Sequence, residues 1–167
     1  TIANTELEAH LPAFNNAFND LGINWHWDAN KYIDLLRING GKNRIAYYSK
    51  SNNDDFSEDL IIKIHEKKQY HYLEIIKENC VEFKTGVIRL INELHRKKVR
   101  QFIVTSSSRK QVDLLLEYLF KGFNPFEFII SSEDVDLKKP NPLPYLKAIK
   151  LSGIKENNSI VIFFYTT

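Results

Sequence analysis

Methionine is absent from this 167-residue sequence and cysteine occurs once. Because the first residue is threonine, the chain is not expected to be a complete reading frame. The lone Cys80 has no partner for an internal disulfide and no metal-ligand spacing around it, which fits a reducing, cytoplasmic-type compartment. No apolar run is long enough to span a bilayer, and no basic–apolar leader with a cleavage site is visible. Neither sign of charge is in excess: 23 Lys and Arg face 21 Asp and Glu, a formal net charge of +2. So weak an imbalance argues against nucleic-acid and membrane partners, which need a concentrated basic field. Runs such as Arg96-Lys97-Lys98 therefore read as a solvated helix end. There is no repeat, low-complexity tract or Gly/Ser linker. What the chain does have is apolar mass, 43% of its residues, sufficient for one good core with room for a second small one.

The first two-fifths read as helical. Thr5 to Glu8 has capping-box spacing, and Ala13, Phe14, Ala17, Phe18 and Leu21 follow at helical period until Gly22. Pro12 is expected to kink this helix or mark its real start. Asp28 is placed to cap a short helix carrying Tyr32, Leu35 and Leu36, which Gly40-Gly41 ends. A third helix is expected from Lys42. A longer one follows Ser57, with Leu60, Ile61, Ile64, Leu73 and Ile76 as its apolar stripe. From about residue 86 helices alternate with short apolar runs: Val87–Lys97, Phe102–Val104, Gln111–Leu119, Phe126–Ile130, Tyr145–Leu151 and Ile160–Ile162. That alternation predicts an α/β fold with a parallel sheet covered on both faces.

In an open parallel sheet, ligands bind beyond the carboxyl ends of the strands. Two such ends carry chemistry. Phe102-Ile103-Val104 runs into Thr105-Ser106-Ser107-Ser108 and a helix start, where hydroxyls and free amides suit a phosphate. The same residues equally suit a loop that only caps the helix. The second end leads through Ser131 to Asp134 into Lys138-Lys139-Pro140-Asn141-Pro142, where Lys139 precedes a proline and is biased to extended backbone. There it suits a phosphate as a point charge, or is an exposed basic turn. Gly40-Gly41-Lys42-Asn43-Arg44 is a third candidate, because two cations at a helix start oppose the macrodipole unless an anion is near. His65 and Lys68 share a helix face and are candidates to join it. A zincin motif is excluded, since His65-Glu66 lacks its second histidine. His10, His26, His71 and His95 show no ligand spacing and read as surface or packing residues. No P-loop or dinucleotide fingerprint occurs, and no elbow motif surrounds Ser106.

Taken in order, these segments resemble the CbbY-like branch of the haloacid-dehalogenase phosphatases. Thr1 to Glu6 is similar to the stretch that follows that family's Asp-x-Asp-Gly opening. His10, Ala13-Phe14-Asn15, Trp25 to Asp28, Gly40 to Arg44 and Ile64 to Lys68 resemble the branch's cap domain. Phe102 to Ser107 resembles the second motif, and Lys138 to Pro142 with Tyr145 the third. The resemblance implies a doubly wound core over residues 1–9 and 84–167, incomplete in this chain, and a helical cap over 10–83. It implies a Mg²⁺-dependent phosphatase of a small sugar phosphate such as xylulose-1,5-bisphosphate, acting through an aspartyl-phosphate with a second Asp as acid and base. Thr105 and Lys139 are then expected to contact the transferring phosphoryl group. Glu6, Gly40, Gly41, Lys42, Asn43, Arg44, His65 and Lys68 are expected to hold the sugar and its distal phosphate. The loop of Ser106, Ser107, Ser108, Arg109, Lys110 and Gln111 is expected to complete that pocket. A monomer is expected, in a bacterial cytoplasm or a plastid stroma.

The chain departs from the pattern in two places. Both aspartates of the opening motif are expected to precede Thr1. Where acidic Mg²⁺ ligands should follow Ile160-Val161-Ile162, Phe163-Phe164-Tyr165 stands instead. Since Phe164-Tyr165-Thr166 resembles a segment after the family's next strand, a stretch between about Val161 and Phe164 is expected to be missing rather than mutated. Two alternatives stay open: a mutase of the β-phosphoglucomutase type, which shares most motifs, and an inactive homologue that binds sugar phosphate or a protein. The 167-residue polypeptide by itself is expected to release no phosphate from xylulose-1,5-bisphosphate or p-nitrophenyl phosphate with Mg²⁺ present. Turnover by this chain in a phosphate-release assay would refute that.

Overall fold

A computed structural model describes residues 2–78, 81–137 and 139–163. Cys80, Lys138 and the expected Phe164-Tyr165-Thr166 segment lie outside the described residues, as does Thr1. The chain divides into two compact units, residues 4–82 and residues 1–3 with 83–167. Residues 4–9, grouped with the α/β core on sequence grounds, belong to the first of these.

The first unit is all helical: a π turn at Glu6–His10, then α1 (Leu11–Asp20), α2 (Ala29–Leu35), α3 (Gly41–Ser51) and α4 (Glu58–Lys77). Pro12 sits in the first turn of α1, where its missing N–H costs nothing. The capping box expected at Thr5 does not form. Thr5 is itself helical (φ −59°, ψ −25°) and its side chain caps nothing, because an N-cap needs extended backbone to turn its oxygen onto the free amides. Asp28 and Ser57 do have that geometry, and each accepts a hydrogen bond from the amide three residues on. The core is an aromatic cluster of Phe14, Phe18, Trp27 and Tyr32 with Ala17, Leu35, Ile45 and Ile64, all essentially buried. Phe14 and Phe18 each lie 4.8 Å from the Trp27 ring, in tilted and edge-on contacts that suit aromatic quadrupoles. Asn15 fastens the irregular 23–28 segment to α1. Its amide donates to Trp27 O and its carbonyl accepts from Trp27 N–H, at 2.8 and 2.9 Å.

The second unit holds α5 (Val87–Arg96), β1 (Phe102–Val104), α6 (Arg109–Phe120), β2 (Phe128–Ile130) and α7 (Leu143–Ser152). β1 and β2 pair in parallel, with Phe102 opposite Phe128, Ile103 opposite Ile129 and Val104 opposite Ile130. Alternation puts Ile103 and Ile129 on one face. There they pack with Val87 and Ile91 of α5 and Val112, Leu116 and Phe120 of α6. Phe102 and Phe128, pointing the other way, stack at 4.4 Å. Before each strand, Arg100 and Glu127 form a paired contact, and Arg100 also donates to Ser152 O at the end of α7.

The strand expected at Ile160–Ile162 does not form. The segment is irregular, and Ile160 is 90% exposed. A strand is made by its neighbour, and no strand lies beside these residues among those described. No described helix is long and apolar enough to cross a membrane.

Candidate functional site

In the α/β unit, the two loops singled out by sequence meet at the carboxyl end of the sheet. Thr105 continues the parallel ladder, its N–H donating to Ile130 O at 2.9 Å, and this places its side chain at the strand end. Its Oγ1 accepts from Ser107 N–H at 3.1 Å. Ser108 is the N-cap of α6 in a complete capping box with Gln111, so this hydroxyl is engaged in capping. The hydroxyls of Ser106 and Ser107 make no hydrogen bond within the described residues. Arg109 is tied to Asp113 and, through its amide, to Glu133, while Lys110 is exposed. Lys139 reaches back to the same place: its ammonium donates to Val104 O at 3.2 Å, one residue before Thr105. Partial burial lowers its pKa, and no carboxylate pairs with it among the described residues. This end of the sheet therefore offers a cation, a hydroxyl and a helix start to an anion.

The turn that carries Lys139 has a brace the sequence did not reveal. Asp134 accepts from both Ser131 N–H and Ser131 Oγ–H, at 2.7 and 2.6 Å, which holds its carboxyl below the usual range. Lys147 of α7 donates to Asp134 O. A separate concavity lined by residues 95, 96, 98–101 and 124–127 lies at the amino ends of the strands, away from this chemistry.

In the helical unit, two of the candidates, Lys68 and Arg44, lie near the Phe14 ring. Lys68 is only 5% exposed, with its ammonium 5.2 Å from the Phe14 ring centre and 5.0 Å from that of Tyr72. Burial pushes it down to about 7, with Glu6 opposing and Arg44 adding to the fall. It contacts His10 Nδ1 at 2.7 Å and donates to Gln69 Oε1 at 3.3 Å. His65, on the same helix, is lowered to about 4 by burial, then by Lys68 and Lys42. Gly41 faces that ring: a Cβ there would stand 2.8 Å from His65 Cδ2, so the glycine is what lets the imidazole sit against the α3 start.

Arg44 occupies a different place from its neighbours. The residue is 9% exposed, and its guanidinium donates to Leu35 O, Ile38 O and the Tyr32 hydroxyl, fastening the segment between α2 and α3. Tyr32 in turn donates to Glu6 at 2.7 Å; burial and then the Glu6 charge raise its pKa. Gly40, Lys42 and Asn43 are exposed, and Asn43 donates to Asn39 O. Sequence reasoning missed the parts of Tyr32, Tyr72 and His10 here. No spacing signals a histidine 58 residues from the lysine it contacts. No group of three His, Cys, Asp or Glu able to hold a metal exists among the described residues. Those residues thus supply no three-ligand set for a cation, and no step runs through a metal.

A family model described as haloacid dehalogenase-like hydrolase matches residues 1–162. The chain is 35% identical to Protein CbbY of Rhodobacter capsulatus over 156 residues, covering 92% of this chain and 68% of that protein. It is also similar to the crystal structure of CbbY from Rhodobacter sphaeroides in complex with xylulose-(1,5)bisphosphate. That match has a TM-score of 0.77 and 31% identity, covering 92% of this chain and 69% of that one. β-Phosphoglucomutase from Clostridium difficile shares the fold, at a TM-score of 0.67 and 20% identity, with coverage of 90% and 66%. The chain spans about two thirds of the length of these relatives.

The buried lysine has a thermodynamic signature. With its pKa lowered from 10.5 to about 7 on folding, Lys68 binds fewer protons in the folded than in the unfolded chain throughout that interval. Stability is therefore expected to rise with pH from 7 toward 10. Urea unfolding across this range should show the rise in the parent chain and a flatter profile in Lys68→Met. Equal slopes would contradict the assignment.

Proposed function

Because the chain belongs to the haloacid dehalogenase-like hydrolase family, we propose that its protein is a phosphatase that removes phosphate from a small phosphorylated sugar. The observation that carries this reading is the Lys139 ammonium bonded to the carbonyl just before Thr105, at the carboxyl end of β1. Hydrolysis of a phosphate ester builds charge on the phosphoryl oxygens and the group that attacks them. Lys139 neutralises part of that charge, and the Thr105 hydroxyl donates to a phosphoryl oxygen while its own lone pair stays fixed by Ser107 N–H. Asp134 is not the attacking group in this reading, since Ser131 holds its carboxylate in the turn. The attack belongs to an aspartate of the kind the family resemblance implies, and Mg²⁺ to the same implied machinery.

The helical unit is proposed to hold the sugar and its second anionic group. Lys42 and Lys68 supply positive charge there, and His65, held neutral by burial and by those two cations, supplies an N–H donor. Arg44, with donors already bound to the backbone and Tyr32, shapes the Gly40-Gly41 turn instead. The similarity to a CbbY structure holding xylulose-(1,5)bisphosphate supports a sugar bisphosphate as the substrate class. Nothing in the geometry favours a mutase.

The complete gene product incubated with xylulose-1,5-bisphosphate is expected to release inorganic phosphate, followed by ³¹P NMR. Lys139→Met should lower kcat by about a hundredfold or more, the scale seen when one charge-stabilising donor is removed. Phosphate moved to another carbon without release would mark a mutase. An unchanged kcat in the variant would remove Lys139 from the reaction.

A further inference from the structure

Two helices of the α/β unit end on a lysine in strained backbone. Lys98 follows α5 at φ 56° and Lys121 ends α6 at φ 49°, the left-handed region that glycine enters freely and lysine does not. At Lys98 the geometry closes α5: its N–H donates to His95 O, and the next amide, Val99 N–H, donates to Leu94 O. Glycine would make this turn without strain. A cation near a helix carboxyl end gains from the macrodipole. Lys97, however, already supplies one from ordinary backbone, φ −80°, and pairs with Glu93. The Lys98 ammonium makes no hydrogen bond or ion pair among the described residues.

Lys98 lines the concavity at the amino ends of the strands, which has a volume of about 560 Å³. Small-molecule sites span roughly 300–1,000 Å³. The charges lining it do not balance. Glu127 is the one carboxylate among these residues, and Arg100 occupies both its oxygens while also donating to Ser152 O. Arg96 engages only its Nε, on Asn92 O. Its terminal N–H groups and the Lys98 ammonium are therefore two cationic donor groups without an acceptor among the described residues. The same concavity has an apolar side, where Val99 is 48% exposed and Phe126 half-buried. Paired cations beside apolar surface suit a doubly charged anion attached to an apolar body. A phosphate monoester carries roughly −1.5 to −2 near neutral pH and meets that description.

We propose that this concavity is a second ligand site, separate from the cradle of Thr105 and Lys139, for a small organic phosphate. Arg96 and Lys98 hold the phosphate, and Val99 and Phe126 meet the apolar body. The reading of Arg96 to Lys98 as a solvated helix end then applies to Lys97 alone.

Titration of the isotopically labelled 167-residue chain with phenyl phosphate, followed by amide NMR, tests it. Saturable shifts are expected at Val99, Gln101, Phe126 and Glu127, with a Kd of about 1 mM. Shifts from Thr105 to Ser107 report the other cradle and are read separately. Lys98→Gly removes the cation and relaxes the backbone, so it should weaken binding by about tenfold while Tm holds or rises. Lys121→Gly relieves the same strain outside the lining and should keep Kd within about twofold of the parent. Arg96→Gln should also weaken binding, and it decides the matter if Lys98→Gly does not fold. Benzoate lacks the second charge and inorganic phosphate lacks the ring, so each should bind about tenfold more weakly. Absence of saturable shifts at the four amides would overturn the proposal, as would a parent-like Kd in Lys98→Gly or Arg96→Gln. An equal loss in Lys121→Gly would reduce the effect to general charge and overturn it too. Inorganic phosphate binding as tightly as phenyl phosphate would mark an adventitious ion only.

Discussion

An ammonium group removed from water has to be solvated by protein, and in the helical unit that demand on Lys68 organises much of what surrounds it. The rings of Phe14 and Tyr72 lie near the charge. His10 and Gln69 take its hydrogen bonds, and the Glu6 carboxylate opposes the fall in its pKa. Glu6 is itself engaged by Tyr32, whose oxygen also accepts from Arg44. One chain of contacts thus joins the π turn, α1, α2, α3 and α4. Breaking a member leaves a buried charge or hydroxyl without its partner, which costs more than the intact contact gains. The residues that would recognise an anion are in this way also those that hold the helices in place.

The α/β unit solves the same problem more cheaply, at an edge open to solvent. Two parallel strands end side by side, one running into a hydroxyl loop and the other into a braced turn that returns Lys139 to the first. The Asp134 contacts with Ser131 fix where that turn begins, and Lys139 reaches the Val104 carbonyl from its far side. Residues 35 apart in sequence are brought together by the parallel register and the braced turn.

Much of this was legible in the sequence, for local reasons. Helix periodicity marked α1 through α7 to within a few residues, and Asp28 and Ser57 announced their caps because N-capping is a short-range contact. The alternation of helices with short apolar runs pointed to the α/β class, and the order of the motifs pointed to the family. Thr5 misled because spacing alone cannot show whether a hydroxyl has the extended backbone that capping needs. Ile160–Ile162 misled because an apolar run becomes a strand only when a neighbour pairs with it. Ser108 followed its capping reading, while Lys139 left the exposed-turn reading behind by reaching Val104 O. Arg44 read as a ligand-facing cation, yet its donors are bound inside the helical unit. His10 was legible only as a packing residue, since its role depends on a contact across 58 positions.

The central claim is that the end of β1 is a phosphate cradle built by Thr105, its serine loop and Lys139. Titration of the isotopically labelled 167-residue chain with inorganic phosphate, followed by amide and lysine side-chain NMR, tests it most directly. Saturable shifts at Thr105, Ser106, Ser107 and the Lys139 ammonium are the predicted result. Phosphate-dependent shifts that bypass these residues, or none at all, would contradict it.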